Sequence, residues 1–298
     1  MKENEALNII KRGYLKNDFE YFHIKDKKSL EFDFHYHDFN KIIIFISGNV
    51  TYLIEGKAYK LKPWDILLVG SNEIHKPLIE EGGTYERIIL WVNSSFLKQH
   101  NSEDCNLLTC FEIAAMQKFN LMRVNPDALS EIKYTLFQLE KACYHESFGK
   151  GILKNALFLQ FIVSINRIFL ARDLEKEIKD VEYDENIVSL LNYINDNLSE
   201  ELTIEELSLK FYMNKYYLMH KFKKQTGYTL HNYILQKRLV LASSLIKKGM
   251  PITEVYIESG FSDYSNFIRA FKNMFGLPPK KYYKAVKDIE SLYNRKGY

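Results

Sequence analysis

The sequence predicts an α+β chain. An N-terminal antiparallel β-barrel of jelly-roll type carries a helical hairpin, and an all-α domain follows in which two helix-turn-helix units are joined by a long helix. Three observations point to this. The early residues alternate apolar and polar side chains with a period of two, later ones follow a helical period, and the C-terminal segment repeats itself at a spacing of 48 to 49 residues. Composition agrees: 298 residues with 46% hydrophobic side chains can bury a core in each of two domains, which excludes disordered and fibrous classes.

In the barrel, Phe32, Phe34 and Tyr36 alternate with Asp33, His35 and His37, as in a half-buried strand. Further strands are expected at 42–47, at 50–54 after the Gly48-Asn49 turn, at 58–61 after Glu55-Gly56, at 65–69 after Pro63, and at 87–92 after Gly82-Gly83. Such short, evenly spaced strands suit a closed or double-sheet antiparallel fold, here bounded at 1–100.

Past the barrel, 101–176 is expected to form a helical hairpin. Asn125, Pro126 and Asp127 supply a cap, a proline suited to the first helical position and an acid at the positive end of the helix dipole. Ala128, Ile132, Leu136 and Leu139 then form one stripe, and a second helix over 152–176 aligns Leu153, Leu157, Phe161, Ile165 and Ile168. That second stripe is wider than one partner helix needs, so it either packs onto the barrel or forms a dimer contact; both readings fit. The charged stretch 175–185 marks an interdomain linker, placed at 177–185, ahead of a domain at 186–290.

The apolar segment 157–170 is interrupted by Gln160, Asn166 and Arg167 and reads as too short to span a bilayer. The N-terminus develops no signal-peptide core, and Cys105, Cys110 and Cys143, taken as ordinary buried thiols, make neither an even disulfide set nor a Cys-x-x-Cys pair. A cytoplasmic protein without a membrane partner is expected.

In the repeat, Ile204, Leu207, Phe211 and Met213 recur 48 residues on as Ile252, Val255, Ser259 and Phe261. After one inserted residue, Leu218, Phe222, Gly227 and Tyr233 recur as Phe267, Phe271, Gly276 and Tyr282. Each copy reads helix, tight turn, helix. Thr203 and Glu206 form a capping box and Asn214 caps the second helix of the first copy. In the second copy Pro251 opens a helix, Gly260 suits its left-handed end, and Ser262 or Asp263 caps the helix after it. The stretch 229–248 joins the copies as one helix of about 20 residues, or about 30 Å.

The net charge of +3 conceals a division. Residues 208–287 hold 15 Lys and Arg against Glu254, Glu258 and Asp263, a sum of +12, whereas 1–183 sum to −2. A basic segment on a duplicated helix-turn-helix is the footprint of a double-stranded DNA binder, whose second helix enters the major groove. With Leu218 and Phe222 facing the core, Tyr216, Met219, His220 and Lys223 face outward; with Phe267 and Phe271 inside, Ser265, Asn266, Arg269 and Lys272 do so, with Asn273 beside them. Arg269 suits a guanine and Asn266 an adenine, while the lysines suit phosphates. Because the joining helix approaches one DNA turn of about 34 Å, one chain can read two successive major grooves.

On these residues the C-terminal part resembles the AraC/XylS family of bacterial transcription regulators. The matches include Tyr217-Leu218-Met219-His220-Lys221-Phe222-Lys223-Lys224, Arg238-Leu239, Gly260-Phe261-Ser262-Asp263, Arg269-Ala270-Phe271-Lys272, Phe275-Gly276 and Pro278-Pro279, with Ser208 where the family usually has Ala. The N-terminal part resembles the cupin-type sensor domain of that family through His35-Tyr36-His37, Gly48, Gly56, Leu61-Lys62-Pro63-Trp64-Asp65-Ile66 and Glu73-Ile74-His75-Lys76-Pro77. The resemblance implies a transcription activator that engages RNA polymerase, takes a small-molecule effector in the barrel, a sugar among the candidates, and forms a homodimer.

Ligand sites in barrels are apolar cavities with a few convergent polar groups, which makes His35, His37, Tyr52, His75 and Trp91 the effector-binding candidates. Trp91 fits equally well as barrel core. Three imidazoles also suit Zn, Fe or Mn. Lys41, however, stands four residues after His37, where cupin enzymes carry a carboxylate, and neither a metal nor a cofactor is expected. No Ser/His/Asp triad, P-loop or dinucleotide-binding Gly pattern is visible, and the chain is not expected to be an enzyme. A cupin metalloenzyme fused to a DNA-binding module and a ligand-independent dimeric regulator are the alternatives.

Overall fold

Strand alternation and helix capping are both visible in the computed structural model, which describes residues 10–11, 15, 17–26, 34–80, 84–172, 181–182 and 184–295. Its contacts divide the chain into an N-terminal unit of 12–54 and 58–182 and a helical unit built on 183–298.

After a two-residue strand, β1 (Ile10–Lys11), the N-terminal unit contains β2 (Phe19–Asp26), β3 (His35–Tyr36), β4 (Asn40–Ser47), β5 (Val50–Ile54), β6 (Lys57–Lys60), β7 (Ile66–Val69), β8 (His75–Ile79) and β9 (Tyr85–Val92). One antiparallel sheet runs in the order β10-β7-β4-β9-β2, where β10 is Leu121–Met122; the other runs β3-β8-β5-β6-β11, where β11 is Val181–Glu182. The β5–β6 hairpin turns on Glu55 and Gly56 with φ of 45° and 79°, the paired positive angles of a two-residue hairpin whose twist matches its strands.

The first sheet is buried on both faces. Ile43, Phe45, Leu67, Val69 and Leu121 point into the barrel, where they meet Val50, Tyr52, Ile54, Tyr59 and Leu61 of the other sheet. Their neighbours along the strands, Ile42, Ile44, Ile66, Leu68, Ile88, Leu90 and Val92, pack outward onto helices. Those helices are α1 (Ser94–Gln99), α2 (Thr109–Gln117), α3 (Pro126–Tyr144) and α4 (Lys150–Ala171). Stacked rings of Phe19 and Phe158, 3.9 Å between centroids, join α4 to β2. Full burial of each such side chain is worth about 1.5–3 kcal/mol relative to exposure.

Several expectations change here. Packing onto the barrel uses Phe158, Phe161, Ile162, Ile165 and Phe169, while Leu153 is exposed and Ile168 only half-buried. The expected line therefore holds in part: Phe161 and Ile165 are buried and Leu157 and Ile168 pack against the core, while Phe158, Ile162 and Phe169 widen the stripe beyond it. Helix α4 is long and apolar enough to cross a membrane, contrary to the length argument. Its apolar face is instead engaged by the protein core, and Asn166 is satisfied there: it donates to the carbonyls of Leu107 at 3.1 Å and Ile162 at 2.9 Å and accepts from the Cys110 N–H at 2.8 Å. Of the three cysteines only Cys110 is fully buried, its thiol pushed up to about 12 by that burial.

The expected strand at 32–37 reduces to His35–Tyr36 among the described residues; Phe32, Asp33 and the Gly82-Gly83 turn lie outside them. The barrel also draws β10 and β11 from beyond residue 100. Part of the expected linker 177–185 is thus structured: Val181 and Glu182 pair with Tyr59 and Ala58, and Asp184 caps the following helix, while 177–180 and 183 lie outside the described residues.

The helical unit comprises α5 (Glu185–Asp196), α6 (Ile204–Lys210), α7 (Lys215–Thr226), α8 (Leu230–Lys247), α9 (Ile252–Glu258), α10 (Tyr264–Phe275) and α11 (Pro279–Arg295). The joining helix α8 has 18 residues, about 27 Å at 1.5 Å per residue, and Thr229 caps it by accepting from the Asn232 N–H. Leu239, Ala242, Ile246, Val255, Phe267 and Phe271 form the core of its second half.

Candidate functional site

The first helix-turn-helix starts at Thr203, whose hydroxyl accepts from the Glu206 N–H at 3.2 Å while the Glu206 carboxylate accepts from the Thr203 N–H at 3.3 Å. After α6, Tyr212 takes φ of 52°, and Asn214 accepts from the Tyr216 N–H at 2.9 Å to open α7. Helix α7 buries Leu218, Phe222 and Thr226. Its opposite side exposes Tyr216, His220 and Lys223, with Met219 half-buried among them. Lys215 and Lys221 are engaged within the unit, paired with Glu205 and Asp184, and Lys221 also donates to the Tyr217 hydroxyl.

The second unit repeats this plan. Helix α9 ends before Gly260, φ 81°, and Asp263 accepts from the Asn266 N–H at 2.6 Å to open α10. Phe267 and Phe271 are fully buried, and Ser265, Asn266, Arg269, Lys272 and Asn273 are exposed on the other side. A guanidinium N–H of Arg269 donates to the Asn266 side-chain oxygen at 2.8 Å, so the two residues expected to meet bases are oriented by each other. Arg238 on α8 donates to the carbonyls of Leu198 and Glu200 at 2.9 and 2.6 Å, which anchors the loop ahead of the first unit.

The barrel holds a cavity of about 250 Å³ lined by His35, His37, Lys41, Tyr52, Trp91, Arg87, Phe22, Ile24, Tyr85, Pro77 and Ile89. Register explains the set: Lys41 lies opposite Trp91 across β4 and β9, and Phe22 opposite Ile89 and Ile24 opposite Arg87 across β2 and β9, so all share the inner face. Four of the five effector candidates meet there. The fifth, His75, is fully buried and does not line the cavity; its ring lies 4.5 Å from that of His35 and 6.0 Å from that of Tyr52, and its Nδ1 pairs with the Glu73 carbonyl at 2.9 Å. Burial first, then the charge of Lys41 and the neighbouring imidazoles, lower its pKa well below the ordinary value and hold it neutral. Burial likewise pushes the Tyr52 phenol up.

Phe22, Ile24, Tyr85, Arg87 and Ile89 were not among the expected site residues. The i, i+2 spacing from Tyr85 to Trp91 is the signal that places the last three of these on one face with Trp91. Ligand nitrogens of His35, His37 and His75 lie within 4.8 Å of one another, close enough to converge on a metal ion. The Lys41 ammonium in the same cavity is a like charge for any such ion and weakens the fit.

A pair of capped helix-turn-helix units with polar second helices defines a DNA-binding protein, and a barrel enclosing a mixed polar and apolar cavity defines a ligand-binding domain beside it. Residues 207–285 match the family described as a helix-turn-helix domain, and residues 20–99 match the AraC-like ligand binding domain. The probable transcriptional regulator LumQ of Photobacterium leiognathi is 26% identical over 250 residues, which cover 84% of this chain and 91% of LumQ. The HTH-type transcriptional activator RhaR of Mannheimia succiniciproducens is 24% identical over 259 residues, covering 84% of this chain and 87% of RhaR. The multiple antibiotic resistance protein MarA of Salmonella typhimurium is 36% identical over 108 residues, covering 36% of this chain and 85% of MarA. The chain belongs to the AraC family of transcriptional regulators, with an N-terminal ligand-binding domain and a C-terminal helix-turn-helix DNA-binding domain.

Proposed function

We propose that this regulator is a cytoplasmic transcription activator that reads two successive major grooves of one duplex and is controlled by a small molecule held in the barrel. The observation that carries the DNA reading is the pair of second helices, each buried on one side through Leu218 and Phe222 or Phe267 and Phe271 and polar on the other. Helix α7 offers Tyr216, Met219, His220 and Lys223 to one groove, and α10 offers Ser265, Asn266, Arg269 and Lys272 to the next. Activation, the role that RhaR carries in its name, requires contact with RNA polymerase. No reaction is assigned to the chain. The outward side of α3 and α4 exposes Tyr134, Phe137, Ile152 and Leu153, which supports a homodimer through the hairpin.

Nuclease footprinting of the purified chain on its selected operator tests the two-groove reading. Protection should cover about two helical turns per chain on one duplex face. Protection of a single turn per chain would sink it.

A further inference from the structure

At the start of α10 three polar residues follow one another at a spacing of three, Asp263, Asn266 and Arg269, so each stands about one turn along from the last on one line of the helix. They are linked in series. The Asp263 carboxylate accepts from the Asn266 N–H at 2.6 Å, which fixes the first turn, and the Asn266 side-chain oxygen accepts from the Arg269 guanidinium at 2.8 Å. Asn266 and Arg269 are both exposed, on the side away from the buried Phe267 and Phe271.

An arginine loose on such a surface samples many rotamers, and immobilising it on binding costs affinity. Here a charge-assisted hydrogen bond, roughly twice as strong as one between neutral groups, holds the head before DNA arrives. It uses one N–H of the planar fork and leaves others for the O6 and N7 acceptors of a guanine. Asn266 has the opposite balance: bidentate reading of an adenine uses both its oxygen and its NH2 group, and the oxygen is engaged by Arg269. In the first unit the matching positions, 49 residues earlier, hold Tyr217 and His220, and the Tyr217 hydroxyl accepts from Lys221 at 2.8 Å. The Asn266–Arg269 link thus follows from the residues chosen at 266 and 269 and not from the helix-turn-helix backbone.

We propose that Asn266 is a positioning residue rather than an adenine reader: it holds the Arg269 guanidinium in place for one guanine and acts on specificity through that arginine. This rests on the reading of α10 as a helix that enters the major groove.

Fluorescence anisotropy of the full chain at fixed salt, on its selected operator and on duplexes altered at single base pairs, tests it. Arg269→Ala locates the base pair that Arg269 reads. Asn266→Ala should lower the guanine preference at that same base pair by about two- to tenfold, the cost of ordering one long side chain on binding, and should add little to Arg269→Ala when the two are combined. The preference is a ratio between duplexes, so a partly unfolded sample does not move it. Asn266→Asp keeps the accepting oxygen and loses the NH2 group; through its charge it should weaken binding to every duplex, and it should keep the guanine preference. An adenine preference lost at a different base pair in Asn266→Ala, an unchanged preference at the Arg269 base pair, or loss of that preference in Asn266→Asp overturns the positioning role. Equal losses on every duplex for Arg269→Ala are a separate outcome, which sinks the groove reading of Arg269 itself and the proposal with it.

Discussion

The two helix-turn-helix units have the same backbone plan and reach it by different chemistry. At the matching turn positions, 48 residues apart, the first has Tyr212 with φ of 52° and the second has Gly260 with φ of 81°. Tyr212 is 97% exposed, so a side chain in the left-handed region costs the first unit backbone strain and nothing else. Gly260 has no such room: a Cβ there would lie 2.0 Å from the Leu198 carbonyl oxygen and 2.7 Å from the Arg238 Nε. The entrances differ in the reverse sense. A reciprocal capping box opens α6, whereas Pro251 opens α9 without a side-chain bond. One unit is held at its entrance and the other at its turn.

The largest test of this contrast is Gly260→Ala. The substitution should cost about 3 kcal/mol or more in denaturant unfolding of the helical unit, since it adds positive-φ strain to a backbone clash. A loss below about 1 kcal/mol would show that the 198–200 loop yields and that the turn is not closely packed.

On DNA, Arg269→Ala should weaken specific binding by about 1–3 kcal/mol and relax preference at one base pair, while Lys223→Ala should weaken all sequences alike and lower the salt slope by about one. Equal losses on operator and random DNA for Arg269→Ala would reduce that residue to a phosphate contact.

Thr203→Ala should cost about 1 kcal/mol in unfolding of the same unit. An unchanged midpoint would mean that α6 is fixed by packing alone. The smallest effect is Tyr212→Gly, expected to stabilise by no more than about 1 kcal/mol, because relief of strain is partly offset by the added freedom of glycine in the unfolded chain. A loss of similar size would assign the exposed Tyr212 ring a stabilising contact.

The helical unit was legible in sequence because its determinants are local. Thr203 with Glu206, Asn214, Asp263 and the buried Leu218, Phe222, Phe267 and Phe271 all act within a few turns of helix, and each stands where its spacing put it. In the N-terminal unit the long-range pairing decides. Ile42, Ile43, Ile44 and Phe45 are all buried, so the run shows no alternation, and nothing local tells that Lys41 faces the same interior as Arg87 on β9. Leu121–Met122 and Val181–Glu182 are too short to stand out as strands, and exist as such through their pairing with Leu67, Ile66, Tyr59 and Ala58. His75 illustrates the same limit. Its position near the other histidines was readable, but its place behind the cavity wall depends on β8 pairing with β3 and β5 at once.

Because the first sheet of the barrel is buried on both sides, it acts as a shared partition. Lys41 and Trp91 touch the cavity, and Ile42 and Leu90, the next residues on the same strands, belong to the cluster that holds α4. No layer of solvent lies between these faces to absorb a displacement, and interiors at this density shift as packed bodies. An occupant that moves the cavity side of β4 and β9 by a fraction of an ångström therefore moves the seat of the α3–α4 hairpin. If the cavity is the effector site, as proposed, the sheet that lines it is also the layer through which an occupant would act on the far side.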